Sequence, residues 1–543
     1  MYILCLNIIS TNLLFCYGGS FMKLNYKRTI FVGFAFFLIC AFWQAYDNTI
    51  PLILTNKFGM SQTWSGLIMA IDNILALFML PLFGAISDKT KSKRGRRTPF
   101  ILFGTIVAVC AFIGLSLVDA AQLKQISAVS AIDDPAAMEA IYDKTAEMDS
   151  DILAPDGTSF KLQEKYTKEE FVAIKSTIPS GNSSGAATIT NPDYTHYVAP
   201  ARQAVVKDIT SNNSGNLIIF IILLLVTLVA MSTFRSPAVA LMPDVTIKPL
   251  RSKANAIINL MGSAGGIIVL ALGIVFGTSA LKNSLMGYTP YFVVIAAIMI
   301  VSLVIFMITV KEPQFVMEMH EESLRYGIVE DDNSTTGESK KLTPAERRSL
   351  IFIMISIVLW FMGYNAVTSK YSVYASSILH KDYNLTLILA QAAAIISYLP
   401  VGMIASKVGR KKTILAGIVM LATSFAVAAF MRAESPTMLM NAMFALAGIG
   451  WATINVNSFP MVVEMCSGSD VGRYTGYYYT ASMAAQVVTP IFSGFLMDKL
   501  GMLTLFPYAA IFAGAAFFTM LNVRHGDSRP EAKKGIEALE DLD

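Results

Sequence analysis

A chain of 543 residues in which 54% are apolar and only 15% charged is too greasy for a string of soluble domains, whose charged share runs near ~25%. A net charge of +4 gives no argument for nucleic acid as a partner, and the five cysteines and four histidines form neither C-x-x-C nor H-E-x-x-H, so no metal or cofactor is expected. Apolar runs of about 20 residues, enough to cross a hydrocarbon core of roughly 30 Å as helices, predict an all-α polytopic membrane protein.

Residues 1–28 come first. The stretch 1–21 is apolar but lacks the cationic start of a signal peptide, whereas Met22 opens "MKLNYKRT" ahead of a long apolar run. The expected start is therefore Met22, with an interfacial segment as the alternative reading. Twelve spans follow. Six lie near 29–54, 64–87, 99–118, 216–236, 254–277 and 289–310, and six near 348–367, 385–405, 413–431, 438–461, 475–497 and 503–522. Residues 29–310 thus form one six-helix half, 311–347 a charged linker, 348–522 a second half and 523–543 a tail. A polar insert, 119–215, separates spans three and four; it forms a small extracellular cap or, as expected here, stays loosely ordered with short helices around 121–148 and 161–178, a ligand-capturing domain being the sharper alternative.

Orientation follows from Lys and Arg in the short connections. The segment after span two, "GAISDKTKSKRGRRTP", carries Lys89, Lys91, Lys93, Arg94, Arg96 and Arg97, and connections of the same parity hold Lys248, Arg251, Lys253, Lys407, Arg410, Lys411, Lys412 and Arg473. The opposite connections are sparse in cations. Both termini are expected in the cytoplasm, the insert outside, and the chain in the cell membrane as a monomer.

The halves repeat each other. "FWQAYDN" at 42–48 aligns without a gap on "WFMGYNA" at 360–366, setting Asp47 opposite Asn365. "GAISDKTKSKRGRR" aligns with "GMIASKVGRKK", which supplies Gly402, Gly409 and Arg410. Spans four and ten each lead to a proline, then an acid (Asp244 or Glu464), then an arginine opening the next span (Arg251 or Arg473). Such repeats build many secondary transporters, with a cavity between them.

The Gly84, Asp88, Gly95, Arg96, Arg97 pattern resembles the signature between spans two and three of the major facilitator superfamily. Its longer interval and the following Thr-Pro-Phe are similar to the sucrose/proton symporter branch and its glycoside–pentoside–hexuronide cation symporter relatives. The second copy departs from the signature, with Ser406 in place of the acid. The resemblance implies a major facilitator fold of two pseudo-symmetric halves, alternating access, and a cavity lined by spans one, four, seven and ten.

Two kinds of site follow. Asp88 ends a helix whose macrodipole disfavours its charge, so it should seek a cation. Arg96, Arg97, Asp244 and Arg251 on the same face predict a network that ties the half together and opens during the cycle. Glu464 and Arg473 are its second-half counterparts. Among acids at membrane depth, Asp47 and Asp72 stand alone, each roughly 10–12 Å inside the outer surface. Buried acids are costly and so by default functional, and a pair can share one proton or hold sodium. The simpler reading has each bonded to Asn48, Asn73 or free backbone.

A sugar needs apolar ring faces beside amides. Trp43, Gln44, Tyr46 and Asn48 cluster on span one, Asn73 on span two, Trp360, Tyr364 and Asn365 on span seven, and Trp451 and Asn455 on span ten. Asn255, Asn259 and Gln486 add amides in spans five and eleven. The expected function is cation-coupled (proton or sodium) symport of a di- or oligosaccharide, with no bond broken and hence no enzyme. The competing expectations are a drug or metabolite exporter with an apolar cavity, and a non-transporting sensor with a collapsed one.

Overall fold

The computed structural model describes residues 24–179, 188–247, 250–326, 342–463, 465 and 471–526. The first 21 residues, Glu464, Lys248, linker residues 327–341 and most of the tail therefore lie outside the described residues. So do the side chains of Ser406, Lys253 and Arg473.

Twelve long helices carry the fold. The N-terminal half holds α1 (Tyr26–Asn56), α2 (Gln62–Lys89), α3 (Thr98–Gln125), α4 (Gly215–Asp244), α5 (Arg251–Phe276) and α6 (Thr289–Thr309). The C-terminal half holds α7 (Pro344–Tyr374), α8 (Tyr383–Val408), α9 (Arg410–Ala429), α10 (Thr437–Val463), α11 (Val471–Leu500) and α12 (Leu505–Leu521). Eleven of the spans are long and apolar enough to cross a membrane, and α8 carries the shorter apolar segment Tyr383–Tyr398. Side chains set several starts: Ser61 accepts from the Trp64 N–H, and Thr343 and Glu346 close a capping box on α7. Prolines inside α1, α2, α4, α8, α10 and α11 remove backbone donors, tolerated where neighbouring helices pack the gap.

The helices pair identically in the two halves. α5 packs on α1 as α11 does on α7; α4 packs on α3 and α2 as α10 does on α9 and α8; α6 joins α1 and α3 as α12 joins α7 and α9. Each half has its own apolar core. Phe112 stacks on Phe292 at 4.2 Å in the first, while Trp360, Tyr371 and Phe506 fill the second. Between halves, α2 meets α11, α5 meets α8 and α1 meets α7, which is the same pseudo-twofold relation.

The insert is more ordered than a loose loop. Among its described residues, Met138, Ile141, Phe160, Phe171, Tyr194 and Val205 bury one another in a third core. Helices Pro135–Met148 and Ala199–Asn212 and the strands Ile152–Leu153 and Ser159–Phe160 frame that core. The polar composition hid a set of apolar residues large enough to exclude water from a small cap. The linker likewise begins as a helix, Glu312–Arg325, tied back to α1 by Arg28, 3.2 Å from Glu318. We call the membrane face bearing this helix and Arg96 the basic face, and the opposite one the insert face.

Candidate functional site

A cavity of about 410 Å³ lies at mid-depth between the halves. Its lining comes in helical stripes. Trp43 and Asp47 on α1, Phe361 and Asn365 on α7, and Trp451 and Asn455 on α10 are all i, i+4 pairs presenting one face. Asp72 and Asn73 on α2 and Gln486 on α11 add to the polar wall. Asp47 is nine residues from the end of α1 at Asn56, and Asp72 ten from the start of α2 at Gln62. At 1.5 Å per residue both lie roughly 14–15 Å deep, somewhat deeper than expected because the helices overrun their apolar runs. The Asn73 amide donates to Asp72 at 2.8 Å, whereas Asn48 turns away and donates to the Gln44 carbonyl at 2.9 Å.

The remaining predicted ligands sit elsewhere. Tyr46 and Trp360 are buried in the cores of their own halves, about 100° round the helix from the neighbouring lining residues Asp47 and Phe361. Tyr364 stacks flat on Trp451 at 3.7 Å, behind the lining. Gln44 accepts from Gln391 of α8 at 2.5 Å, a bridge between halves outside the cavity wall. Asn255 is buried in α5, and neither it nor Asn259 is among the lining residues.

Several lining residues were missed, among them Phe361, Thr368, Ser369, Tyr478, Tyr479 and Ser482, and one of them is charged. Arg235 of α4 faces the cavity, interacts electrostatically with both Asp47 and Asp72, and lies over the Trp43 ring at 5.6 Å. An apolar run ending near 236 made Arg235 look like the end of span four. The helix in fact continues to Asp244, which puts the guanidinium inside. The apolar "PAVALM" that follows it was the overlooked signal.

On the basic face a charge network joins three helices. Arg96 grips Asp244 with two bonds, 2.6 and 3.1 Å, and Arg97 reaches the same carboxylate at 2.8 Å. Arg97 also pairs with Asp88, bonds Ser87, and approaches the Gly84 carbonyl at 3.5 Å. Hydrogen bonding to Asp244 raises the Arg96 pKa above the usual guanidinium range. Glu312, absent from the expected network, is almost fully buried and caps α3. It accepts from the N–H groups of Arg96 (2.7 Å), Arg97 (2.9 Å) and Thr98 (2.8 Å), a carboxylate at a helix N-terminus. Gly95, at φ +104°, lets the chain turn under it, since a Cβ there would collide with the Glu312 carboxylate. Arg251 bonds the Thr246 carbonyl at 3.1 Å rather than Asp244. In the second half Gly409 adopts φ +100° ahead of a buried Arg410, and Gly402 lies in α8.

Bonds between the halves concentrate at the insert face. Asp498 of α11 accepts from the Gln62 and Thr63 N–H groups, both at 2.7 Å, and so caps a helix of the other half. Lys370 of α7, fully buried, donates to the Gln62 carbonyl at 2.7 Å. Tyr383 and Asn384 bond Thr278 nearby, at 2.7 and 3.1 Å. The cavity is therefore sealed toward the insert. Charge-assisted bonds are worth about 1.5–3 kcal/mol each, so Asp498→Asn should loosen the seal about tenfold. The readout is labelling of a cysteine at the buried Ser65 of α2 by an impermeant thiol reagent added on the insert face; an unchanged rate would place the seal elsewhere.

Two six-helix repeats around a sealed, charged central cavity define a membrane transporter of the two-repeat type. Comparison with known proteins agrees. The family described as Major Facilitator Superfamily matches residues 205–396 and 381–540, and that described as MFS/sugar transport protein matches 31–123. The chain belongs to the major facilitator superfamily. It is 36% identical over 101 residues to the proton-associated sugar transporter A of Homo sapiens, which is 19% of this chain and 13% of that one. It is 32% identical over 68 residues to the putative glycoside/cation symporter YagG of Escherichia coli (strain K12), covering 12% and 15% of the two chains. The matched segments thus span only a small part of these relatives. Among solved structures, the inward open xylose transporter XylE from E. coli superimposes with a TM-score of 0.57 at 14% identity, covering 94% of this chain and 98% of that one. The D-xylose-proton symporter gives 0.53 at 14%, over 92% and 99%.

Proposed function

We propose that the protein is a cation-coupled symporter of a sugar, a di- or oligosaccharide, working by alternating access. The observation that carries this reading is the cavity: two carboxylates and one guanidinium share it with aromatic and amide stripes from both halves. Its volume falls within the ~300–1,000 Å³ of small-molecule sites. Trp43, Phe361 and Trp451 offer apolar faces to a pyranose, and Asn73, Asn365, Asn455 and Gln486 offer its hydroxyls bonding partners. The Asn365 amide nitrogen is buried without a protein partner, as a ligand-binding group would be.

The coupling ion fits a proton better than sodium. Arg235 already supplies a positive charge close to both acids, and a second cation beside it would be repelled. Asp47 is the coupling acid, because Asp72 is held by Asn73. A proton on Asp47 would leave Asp72 and Arg235 balanced, allowing the cavity to change sides without an uncompensated charge. The names of the proton-associated and glycoside/cation relatives are consistent with this choice. An exporter of apolar compounds is disfavoured by the polar lining, and a non-transporting sensor by the cavity being present at all.

The density of Lys and Arg makes the basic face cytoplasmic, so that both termini lie inside, and the cell membrane is the expected site. On that orientation, the bonds of Asp498 and Lys370 close the cavity on its outer side. The network of Gly84, Asp88, Gly95, Arg96, Arg97 and Asp244 serves as a hinge-side latch, with Glu312 as its fourth wall. Asp88 is the most exposed of the charged members, at 56%, so its pair with Arg97 is partly screened by solvent and weaker than a fully buried one. Asp88→Asn should accordingly slow transport only a few fold and leave membrane insertion intact; a complete loss would assign Asp88 a different role. The whole reading is tested by uptake of a panel of labelled glycosides into vesicles under imposed proton or sodium gradients. Accumulation of at least one glycoside driven by the proton gradient is expected.

A further inference from the structure

The insert cap belongs covalently to the N-terminal half, between α3 and α4, yet its tip rests on the other half. At its root, helix Ala199–Asn212 sits on the α1–α2 connection. The Gln203 amide donates to the Met60 carbonyl at 3.3 Å, and Gly59, at φ +65°, packs so closely on Lys207 that it has no room for a side chain. Gln125 at the end of α3 donates to the Asn213 carbonyl at 2.9 Å. At its tip, the turn between strands Ile152–Leu153 and Ser159–Phe160 reaches the α11–α12 connection. There the Met502 N–H donates to the Pro155 carbonyl at 2.8 Å.

Two glycines make that contact possible, one on each side. Gly157 of the cap and Gly501 of the connection both hold φ +92°. A Cβ on Gly157 would lie 2.7 Å from the Leu500 carbonyl oxygen, and one on Gly501 would lie 2.6 Å from the Gly157 nitrogen. Backbone therefore meets backbone, with no side chain to slide or adapt. The tip is stiffened from behind: Thr158 bonds Asp156 through both its N–H (3.0 Å) and its hydroxyl (2.7 Å), and His196 stacks on Phe160. A surface loop that only decorated one half would need neither the facing glycines nor a rigid tip.

We propose that the cap is a strap across the insert face, fixed at one end to the first half, whose tip must leave the α11–α12 connection each time that face opens. The inference rests on the alternating-access reading, because only a separation of the halves there gives the contact something to resist. It acts in series with the seal of Asp498 and Lys370 beneath it but is built from different residues, so the two can be broken separately.

The test uses the full chain in proteoliposomes, with native cysteines replaced by serine and Ser65→Cys as reporter. Asp156→Cys with Met502→Cys, oxidised to a disulfide, is expected to lower labelling of the reporter by an impermeant maleimide from the insert face about tenfold. Reductant should restore it, and either cysteine alone should respond to neither treatment. Gly501→Val, which pushes the tip away without a covalent link, should raise the labelling several-fold. Labelling that ignores the disulfide overturns the strap, even if Gly501→Val proves poorly folded. Uptake of labelled sucrose, followed in parallel, should stop on oxidation; uptake that survives the disulfide also overturns it. Should the wild type take up no glycoside, the transport reading falls, while the maleimide readout still decides the strap.

Discussion

Replacing Asp47 by Asn is expected to abolish accumulation of sugar against its gradient while leaving exchange of labelled for unlabelled sugar within roughly a few fold of wild type. Asparagine keeps the shape and bonding capacity of a protonated Asp47, so the cavity can still bind sugar and change sides. It can no longer carry a proton, so the ion gradient has nothing to act on. Uptake by the variant should also lose its dependence on the pH imposed across the membrane. Asp72→Asn is expected to be milder in uphill accumulation, since Asn73 already holds that carboxylate. Equal loss of exchange and accumulation in Asp47→Asn would instead make the residue a sugar ligand.

Asp244→Asn should be the most damaging change on the basic face. Its carboxylate holds both Arg96 and Arg97, and Arg97 is only 5% exposed. Removing one partner of a buried pair leaves an uncompensated charge, at a cost of ~3–5 kcal/mol in the fully buried case. Arg96 is 42% exposed here and Arg97 keeps Asp88 and Ser87, so about 2 kcal/mol is the reasonable figure. Thermal unfolding of the purified protein in detergent should show a clearly lowered midpoint, with transport reduced about tenfold or more. A midpoint and rate no worse than those of Asp88→Asn would contradict the ranking drawn from burial.

Much of this arrangement was legible in the sequence. Composition and run length give the helices, and the alignment of "FWQAYDN" on "WFMGYNA" gives the repeat. Both Trp43 and its partner Phe361 line the cavity, and both Phe42 and its partner Trp360 are buried in their halves. What a linear alignment leaves open is rotation about the helix axis. Tyr46 and Asp47 are neighbours in the chain but stand about 100° apart on the helix, one in the core and one in the cavity. The i, i+4 spacing shared by three lining pairs was the information that could have separated them.

Other parts were hidden for different reasons. Arg235 was masked by hydropathy, which ends a span wherever a charge appears, although a helix lined by a polar cavity keeps going. Glu312 and Asp498 each cap a helix remote in sequence, 215 and 436 residues away, and no local pattern announces such a bond. Average polarity favoured a loose insert over a cap, whereas a small core needs only a few apolar residues in the right places.

The coupling claim is tested most directly by following cation and sugar together. Proteoliposomes holding a pH-sensitive dye are given a glycoside from the panel with no gradient imposed, alongside a parallel set loaded to report sodium. Sugar addition should acidify the lumen in step with sugar entry for the wild type and not for Asp47→Asn, with sodium unmoved. Sugar entry without either ion, or undiminished acidification in Asp47→Asn, would contradict the account.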